Sequence, residues 1–427
     1  MNNSLLDVIV VGGGQAGLSI SYYLKNAGLN YIVFERGKIG ESWRSQRWNS
    51  FKMNSINRLN VLPGGQLNGC DPDAFSTSQE YIASLEQYVS NFQLPIMENS
   101  QVLAVEKPSE FFKVTVTQYG SLDEYYSKQI IIASGIQNEK NIPSFANKIS
   151  ADIKQLHTSE YRNPAQLPDG AVLVVGSAQS GVQIAEDLIE SGKKVYLSTS
   201  MVGRVPGTYR GADIMSWLLR VGFFDLKTED VRDPMEFNMR APQHSPHTIS
   251  LQDLAGKGAT ILGKMESGNG KIVFFQPNAR QNVQFADMIS QKVKEMIDGF
   301  IEQKGLIVPP PAKDKADVPD PGGLCASSFT ELNLKESNIT TIIWTTGFCG
   351  NFSYIKLPVF GENGNPKHKN GISEVDGLYF LGFGWLRSRK SFLIHGLTED
   401  AGFIFEKVRD YFNTHQLVHS DNMAEIL

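Results

Sequence analysis

Cysteine is scarce in this chain: Cys70, Cys325 and Cys349 are the three in 427 residues. Their number is odd, their spacing is wide, and no Cys-x-x-Cys pair occurs. They build no disulfide framework, no metal-type ligand spacing and no redox dithiol. A reducing, cytoplasmic setting is therefore expected. Excess positive charge is missing too. Lys and Arg number 40 against 45 Asp and Glu, a net charge of −5, so no nucleic-acid partner is expected. No apolar run reaches the roughly 18–20 residues of a membrane span. Met1 to Leu6 carries neither the basic start nor the long apolar stretch of a signal peptide. What is present, 41% hydrophobic and 20% charged residues, describes a globular chain long enough for two or three domains.

The dominant pattern is a unit that occurs twice. Asp7 to Val11 reads as a buried parallel strand. Gly12-Gly13-Gly14-Gln15-Ala16-Gly17 follows, then a helical stretch with Leu18, Ile20, Tyr23 and Leu24 at helical spacing, then a strand from Tyr31 to Phe34 ending at Glu35. Gly12 permits the tight turn, Gly14 lets the backbone approach a pyrophosphate, and Gly17 lets the helix pack close to the strand. The helix start offers free N–H groups and partial positive charge to phosphates. Glu35, at the end of the second strand, is placed to accept hydrogen bonds from ribose hydroxyls.

The second unit runs from Val172 to Leu197. Its turn is Gly176-Ser177-Ala178-Gln179-Ser180-Gly181, with Ala178 at the middle position. Thr199, flanked by Ser198 and Ser200, stands where an acid would be expected. A carboxylate there would repel a ribose 2′-phosphate, whereas hydroxyls and a nearby Arg204 would accept one. The pattern favours NADPH, with NADH as the alternative. Arg204 has two other readings, a solvated surface residue or a neighbour of the substrate segment. Three short strands end in small residues: Ile130 to Gly135, Ile342 to Gly347 and Gly377 to Gly382. The stretch 206–311 is less regular, with helices expected at 212–221 and 285–304, and a proline-rich linker follows. A last helix, about Phe392 to Tyr411, closes the chain, with Ser391 as its expected N-cap.

With these residues in view, the chain resembles the flavin-containing monooxygenases, most closely the bacterial flavoprotein subgroup. The resemblance covers nearly the whole chain. It rests on the two fingerprints, on Gly40-Glu41-Ser42-Trp43-Arg44, on Lys52-Met53-Asn54-Ser55, on Trp344-Thr345-Thr346-Gly347-Phe348 and on Leu381-Gly382-Phe383-Gly384-Trp385-Leu386. Arg204-Val205-Pro206 through Tyr209-Arg210-Gly211 and Trp217 is also like the bacterial subgroup. The family signature before the second fingerprint is half present: His157 and Tyr161 are kept, while Ala151 and Ile153 replace a Phe and a Gly. The related Baeyer–Villiger enzymes usually carry Trp where Tyr161 stands.

The resemblance implies an α/β fold with two Rossmann-like dinucleotide-binding domains. An FAD domain, residues 1–160 and 330–427, would be split by an inserted NAD(P)H domain, residues 161–329, whose segment 206–311 shapes the substrate site. It implies an enzyme in which NAD(P)H reduces FAD and dioxygen forms a flavin peroxide that oxygenates a small organic substrate. A nitrogen or sulfur centre is favoured. Carbonyl oxygenation and a non-oxygenating oxidase or reductase stay open, as does a homodimer. Asn54 is the catalytic candidate, beside the flavin and nicotinamide. FAD would meet Gly12, Gly14, Gln15, Ala16, Gly17, Glu35, Arg36, Trp43, Arg44, Gly135, Gly382 and Ser391. The nicotinamide dinucleotide would meet Gly176, Ala178, Gln179, Ser180, Gly181, Thr199 and Arg204. Trp43 and Trp48 either pack on the flavin ring or fill the core. Tyr209, Trp217, Phe223, Phe224 and Trp385 either line an aromatic pocket or belong to the core. His157 either orients the domain interface or is structural, and His244 and His247 read as loop residues.

Overall fold

The structure, a computed structural model, describes residues 5–67, 69–233, 242–362 and 364–424. Residues 234–241, within the expected substrate-shaping segment, lie outside that description. Strand Leu6–Val11 is buried at Val8, Ile9, Val10 and Val11, the run expected of a central parallel strand covered on both faces. It pairs in parallel with Tyr31–Phe34 on one side and with Ser121–Ile132 on the other. Ser121–Ile132 serves two partners along its length. Its C-terminal half pairs in parallel with Leu6–Val11 and Leu378–Phe380, and its N-terminal half pairs antiparallel with Phe112–Gln118. Burial follows that division: Ser121 to Glu124 are exposed, and Gln129 to Ile132 are buried.

The second sheet is all parallel, in the order Thr260–Leu262, Val195–Ser198, Ala171–Val175, Ile339–Trp344, Lys154–His157. This pairing moves the expected boundaries at 160 and 330. Lys154–His157 and Ile339–Trp344, which those boundaries assign to the first domain, both hydrogen-bond into the second sheet. Local pattern identifies a buried strand but not its partner.

The chain therefore crosses between sheets after Ile132 and again after Trp344, and the two crossings hold each other. Glu139–Lys140 pairs antiparallel with Phe348–Cys349, and Asn141 N donates to Gly347 O at 3.1 Å. His157, fully buried, reaches the same place: its Nε2 lies 2.8 Å from Gly347 O and its ring meets Phe348 edge-on.

The last helix, Ile394–Ala424, is longer than expected. It lays Leu397, Ala401, Ile404 and Val408 on the first sheet's core, the spacing of one helix face. Helices Ile214–Arg220 and Ala279–Lys304 confirm the two expected in the middle segment. Between them Val205, Ile214, Trp217, Leu218 and Phe224 pack with Ile297 as a separate core. Trp217 and Phe224 are thus core residues rather than pocket lining, with the Trp217 indole N–H donating to Tyr209 O at 2.7 Å. Among the described residues, no helix is long and apolar enough to cross a membrane.

Strand and helix also meet closely in the second unit: a Cβ on Gly181 would sit 2.0 Å from Gly176 O. Gly181→Ala should force the helix off its strand and cost about 1–3 kcal/mol, read as a lowered midpoint in thermal or urea unfolding.

Candidate functional site: two open helix starts and the loop between them

The two fingerprints are near copies in backbone geometry. Gly12 sits at φ +112° and Gly176 at φ +114°, a region side chains rarely adopt. A Cβ on Gly17 would lie 1.9 Å from Gly12 O, the counterpart of the Gly181 contact. Gly14 precedes its helix at φ −81°, ψ −175°, and Ala178 does so at φ −73°, ψ −177°. The methyl of Ala178 therefore leaves the turn unchanged. Neither helix start receives a side-chain cap, so first-turn N–H groups of both are left for a ligand, apart from Gly181 N, which donates to Ala178 O at 2.9 Å. Nothing lies within 4 Å of a Cβ built on Gly14. Gln15 and Ala16 open the first helix, and Gln179 and Ser180 open the second, half-buried.

Glu35 lies buried at the end of its strand. Its Oε2 accepts from Gly13 N at 2.7 Å and its Oε1 from Gly37 N at 2.9 Å. Burial pushes its pKa up against the pull of those two donors and of Arg36, which is itself exposed. Each carboxylate oxygen keeps a lone pair for a further donor. Gly382, at φ +79°, brings the chain after Leu378–Phe380 against the first helix: a Cβ there would meet Ala16 Cβ at 2.6 Å. Gly135, at φ +72°, has open space around it.

Several expected ligand contacts are taken up internally. Arg204 is fully buried. Its Nε donates to Asp287 at 2.8 Å, it pairs with Asp317, and its Nη1 donates to Ser290 Oγ at 3.2 Å. A cation this deep must be paired, and the pairing removes Arg204 from any phosphate. Thr199 Oγ1 donates to Leu262 O and accepts from Asn282 at 3.0 Å, and Ser198 Oγ donates to Gly263 O. Those two hydroxyls fasten neighbouring strands. Arg44 bonds Ile39 O at 3.0 Å and pairs with Glu86, so it too is engaged within the protein. Ser391 does not cap the last helix. It closes a capping box with Ser388 over the short turn Arg389–Phe392, because the helix proper begins at Ile394.

The arginine that sequence reading missed is Arg47. Its guanidinium lies 4.8 Å from the Trp43 ring centroid and 5.3 Å from that of Phe51. It forms no ion pair among the described residues, and burial lowers its pKa to about 10. Trp43 in turn donates from Nε1 to Gln15 Oε1 at 3.0 Å, which sets this cation one residue from the first helix start. Trp48 packs against Phe51 in the core instead. No motif marked Arg47; its ring partners Trp43 and Phe51 stand four residues to either side, and Gln137 meets it from a second segment.

Asn54 is held from two sides. Gln183, on the second fingerprint's helix, donates from Nε2 to Asn54 Oδ1 and to His244 O, both at 2.8 Å. His244 Nε2 lies 3.1 Å from Asn54 O. His244 is a loop residue, as expected, but a buried one that partners the Asn54 loop; burial lowers its pKa to about 4, keeping it neutral. His247 pairs with Glu186 at 2.8 Å. Further along the loop, at Asn57 and Asn60 rather than at Asn54, a cavity of about 640 Å³ opens against helix Ser78–Phe92, with Val61, Leu62, Leu85 and Tyr88 in its wall. Tyr81, also in that wall, meets Trp43 edge-on.

Two dinucleotide units with open helix starts, joined through one loop, define an oxidoreductase of the two-Rossmann type. Residues 9–207 match the pyridine nucleotide-disulphide oxidoreductase family. The chain is 31% identical over 410 residues to a CzcO-like oxidoreductase of Geobacillus kaustophilus that is itself uncharacterized, covering 95% of this chain and 99% of that one. The chain belongs to this CzcO-like oxidoreductase family. It is also 25% identical over 289 residues to the indole-3-pyruvate monooxygenase YUCCA8 of Oryza sativa subsp. indica, across 62% of this chain and 68% of that one. A flavin-containing monooxygenase from Stenotrophomonas maltophilia shares the fold, with TM-score 0.65 at 19% identity over 96% of this chain and 99% of that one. The monooxygenase resemblance and the two-domain α/β fold read from the sequence both hold.

Arg204→Ala should leave Asp287 without its cation and Asp317 with Lys294 alone, and cost about 3–5 kcal/mol of stability. It should affect NADPH and NADH alike, which unfolding curves and KM values for both nucleotides would check. His244 gives a pH signature. Its folded pKa lies below the unfolded value near 6.5, so its neutral form stabilises fully above about pH 6.5. That contribution is lost as pH falls toward 4, at up to about 1.4 kcal/mol per pH unit. His244→Gln should make the acid side of the stability profile shallower over that window.

Proposed function

We propose that this chain is an FAD- and NADPH-dependent monooxygenase that oxygenates the nitrogen or sulfur centre of a small organic molecule. The observation that carries the reading is Asn54, a polar side chain on a loop of the flavin-side half whose carboxamide is held by the helix of the nicotinamide-side half.

The residues fit the two cofactors. The uncapped start of helix Gln15–Asn26 receives the FAD diphosphate, Gly14 leaves room for it, and Glu35 accepts from the adenosine ribose. Arg47 supplies positive charge close to that helix start, in the role sequence reading gave Arg44. The uncapped start of helix Gln179–Glu190 receives the NADPH diphosphate. With Arg204 and Thr199 engaged elsewhere, the preference for NADPH rests on the lack of an acid after Val195–Ser198, where a carboxylate would repel the 2′-phosphate. FAD, when bound, would supply the hydride acceptor for NADPH and the electron donor for dioxygen. The chain's own residues orient the partners and keep water out. Trp43, Phe51 and Tyr81 form an aromatic wall there, and Asn54 Nδ2 is a hydrogen-bond donor held in place for the oxygen-transfer step. The cavity lined from Asn57 onward has the volume of a small-molecule site. None of the three cysteines is paired, and the sequence places no second cysteine near any of them, which supports oxygenation over disulfide exchange.

Denaturation should release FAD, and absence of FAD from reconstituted protein would overturn the reading. Asn54→Ala should keep FAD and still consume NADPH. Product formation should fall on the order of a hundredfold, and hydrogen peroxide should account for more of the dioxygen consumed. Measuring NADPH, product and hydrogen peroxide on one sample checks this; unchanged proportions remove Asn54 from the reaction.

A further inference from the structure

Gln183 was not among the expected site residues, because its position in the middle of a helix gives it no motif. It stands on helix Gln179–Glu190, and its amide reaches out of that helix to two oxygens. One is the backbone carbonyl of His244, which can only accept. The Gln183 atom 2.8 Å from it is therefore the NH₂ group. The same nitrogen lies 2.8 Å from the side chain of Asn54, and with both of its N–H groups directed at acceptors, the Asn54 atom facing it must be Oδ1. Asn54 Nδ2 is thereby turned the other way, and among the described residues it has no protein partner.

The same logic fixes His244. Its Nε2 faces the Asn54 carbonyl and so carries the proton, leaving Nδ1 as a buried lone pair without a partner. One turn along the helix from Gln183, Asp187 accepts from Ser50 Oγ at 2.7 Å and from the Tyr161 hydroxyl. The helix thus holds the loop at Ser50 and at Asn54 from one face. Asn49 N, donating to Arg162 O at 2.7 Å, adds a backbone tie from the same half.

We propose that Gln183 is a positioning residue for the reaction. By donating to both Asn54 and His244, it sets the orientation of the Asn54 amide and aims its NH₂ at the site between the cofactors. The proposal rests on Asn54 acting as assigned above. It makes the helix whose start takes NADPH also the part that orients a side chain on the flavin side. The role needs a donor and only a donor. Gln183→Glu is isosteric but presents acceptors to two acceptors, so the Asn54 amide turns over and its NH₂ leaves the site. Gln183→Lys keeps donors and restores the arrangement.

The test compares wild type, Asn54→Ala, Gln183→Glu, Gln183→Lys and the Asn54→Ala/Gln183→Glu pair as FAD-loaded enzymes supplied with NADPH and dioxygen, without organic substrate. The rate of hydrogen peroxide release is read alongside KM for NADPH and backbone hydrogen exchange over residues 48–57. Asn54→Ala and Gln183→Glu should each speed hydrogen peroxide release about tenfold or more. The pair should be no faster than Asn54→Ala alone, Gln183→Lys should stay near wild type, and KM for NADPH should hold. Gln183→Glu should also raise exchange over 48–57. If Asn54→Ala speeds release while Gln183→Glu does not, or if the two effects multiply in the pair, the proposal is overturned and the Asn54 assignment survives. If Asn54→Ala matches wild type, the Asn54 assignment fails. Exchange over 48–57 then decides the latch separately: raised in Gln183→Glu, the helix holds the loop; unchanged, it does not.

Discussion

The approach of helix to strand at a glycine carbonyl is the constraint on which this molecule is built. Gly17 against Gly12 O, and Gly181 against Gly176 O, leave room for a hydrogen and nothing larger. That closeness brings each helix start to the end of its strand, with its first N–H groups uncapped. A side chain at either position would push the helix outward and turn those donors away from the place where a phosphate must sit. The middle position of each turn is less demanding. Gly14 and Ala178 adopt nearly the same dihedrals, so a methyl is tolerated where backbone conformation, rather than contact, is what matters.

From that constraint the two halves are tied together at separate levels. The crossings between sheets pair with each other as Glu139–Lys140 and Phe348–Cys349, and His157 bonds the second crossing from the edge strand of the second sheet. Nearer the site, one face of helix Gln179–Glu190 holds the loop that carries Ser50 and Asn54. The helix start and the helix flank have different duties, one toward a dinucleotide and one toward the opposite half. A displacement of this helix would be felt at Asn54, because the hydrogen bonds between them leave little slack.

The buried charges follow a different logic. Arg204, Asp287, Asp317 and Lys294 form one cluster that fastens the proline-rich linker to helix Ala279–Lys304. Its charges are compensated within the protein, so it has nothing left to offer a ligand. Arg47 is the opposite case: it lies against two aromatic rings with no carboxylate paired to it among the described residues. Desolvation of an uncompensated cation is costly, and the cost is relieved when an anion arrives. Two arginines are thus distinguished by what surrounds them, although neither differs from the other as a letter in the sequence.

The sequence by itself determined the repeated strand, turn and helix, because glycine spacing and runs such as Val8 to Val11 are local consequences of backbone sterics and two-sided burial. It located both helix starts, Glu35 and Asn54, and it expected the helices of the middle segment. Tertiary structure alone decided which sheet received Ile339–Trp344, since any buried strand has two edges and local pattern does not choose between partners. It alone turned Arg204, Arg44 and Thr199 inward and left Arg47 without an ion pair. It alone brought Gln183 and His244 to Asn54, 129 and 190 positions away along the chain. Hydrogen-bond partners so distant in sequence leave no periodic trace, because each is specified only by the packing of one domain against the other.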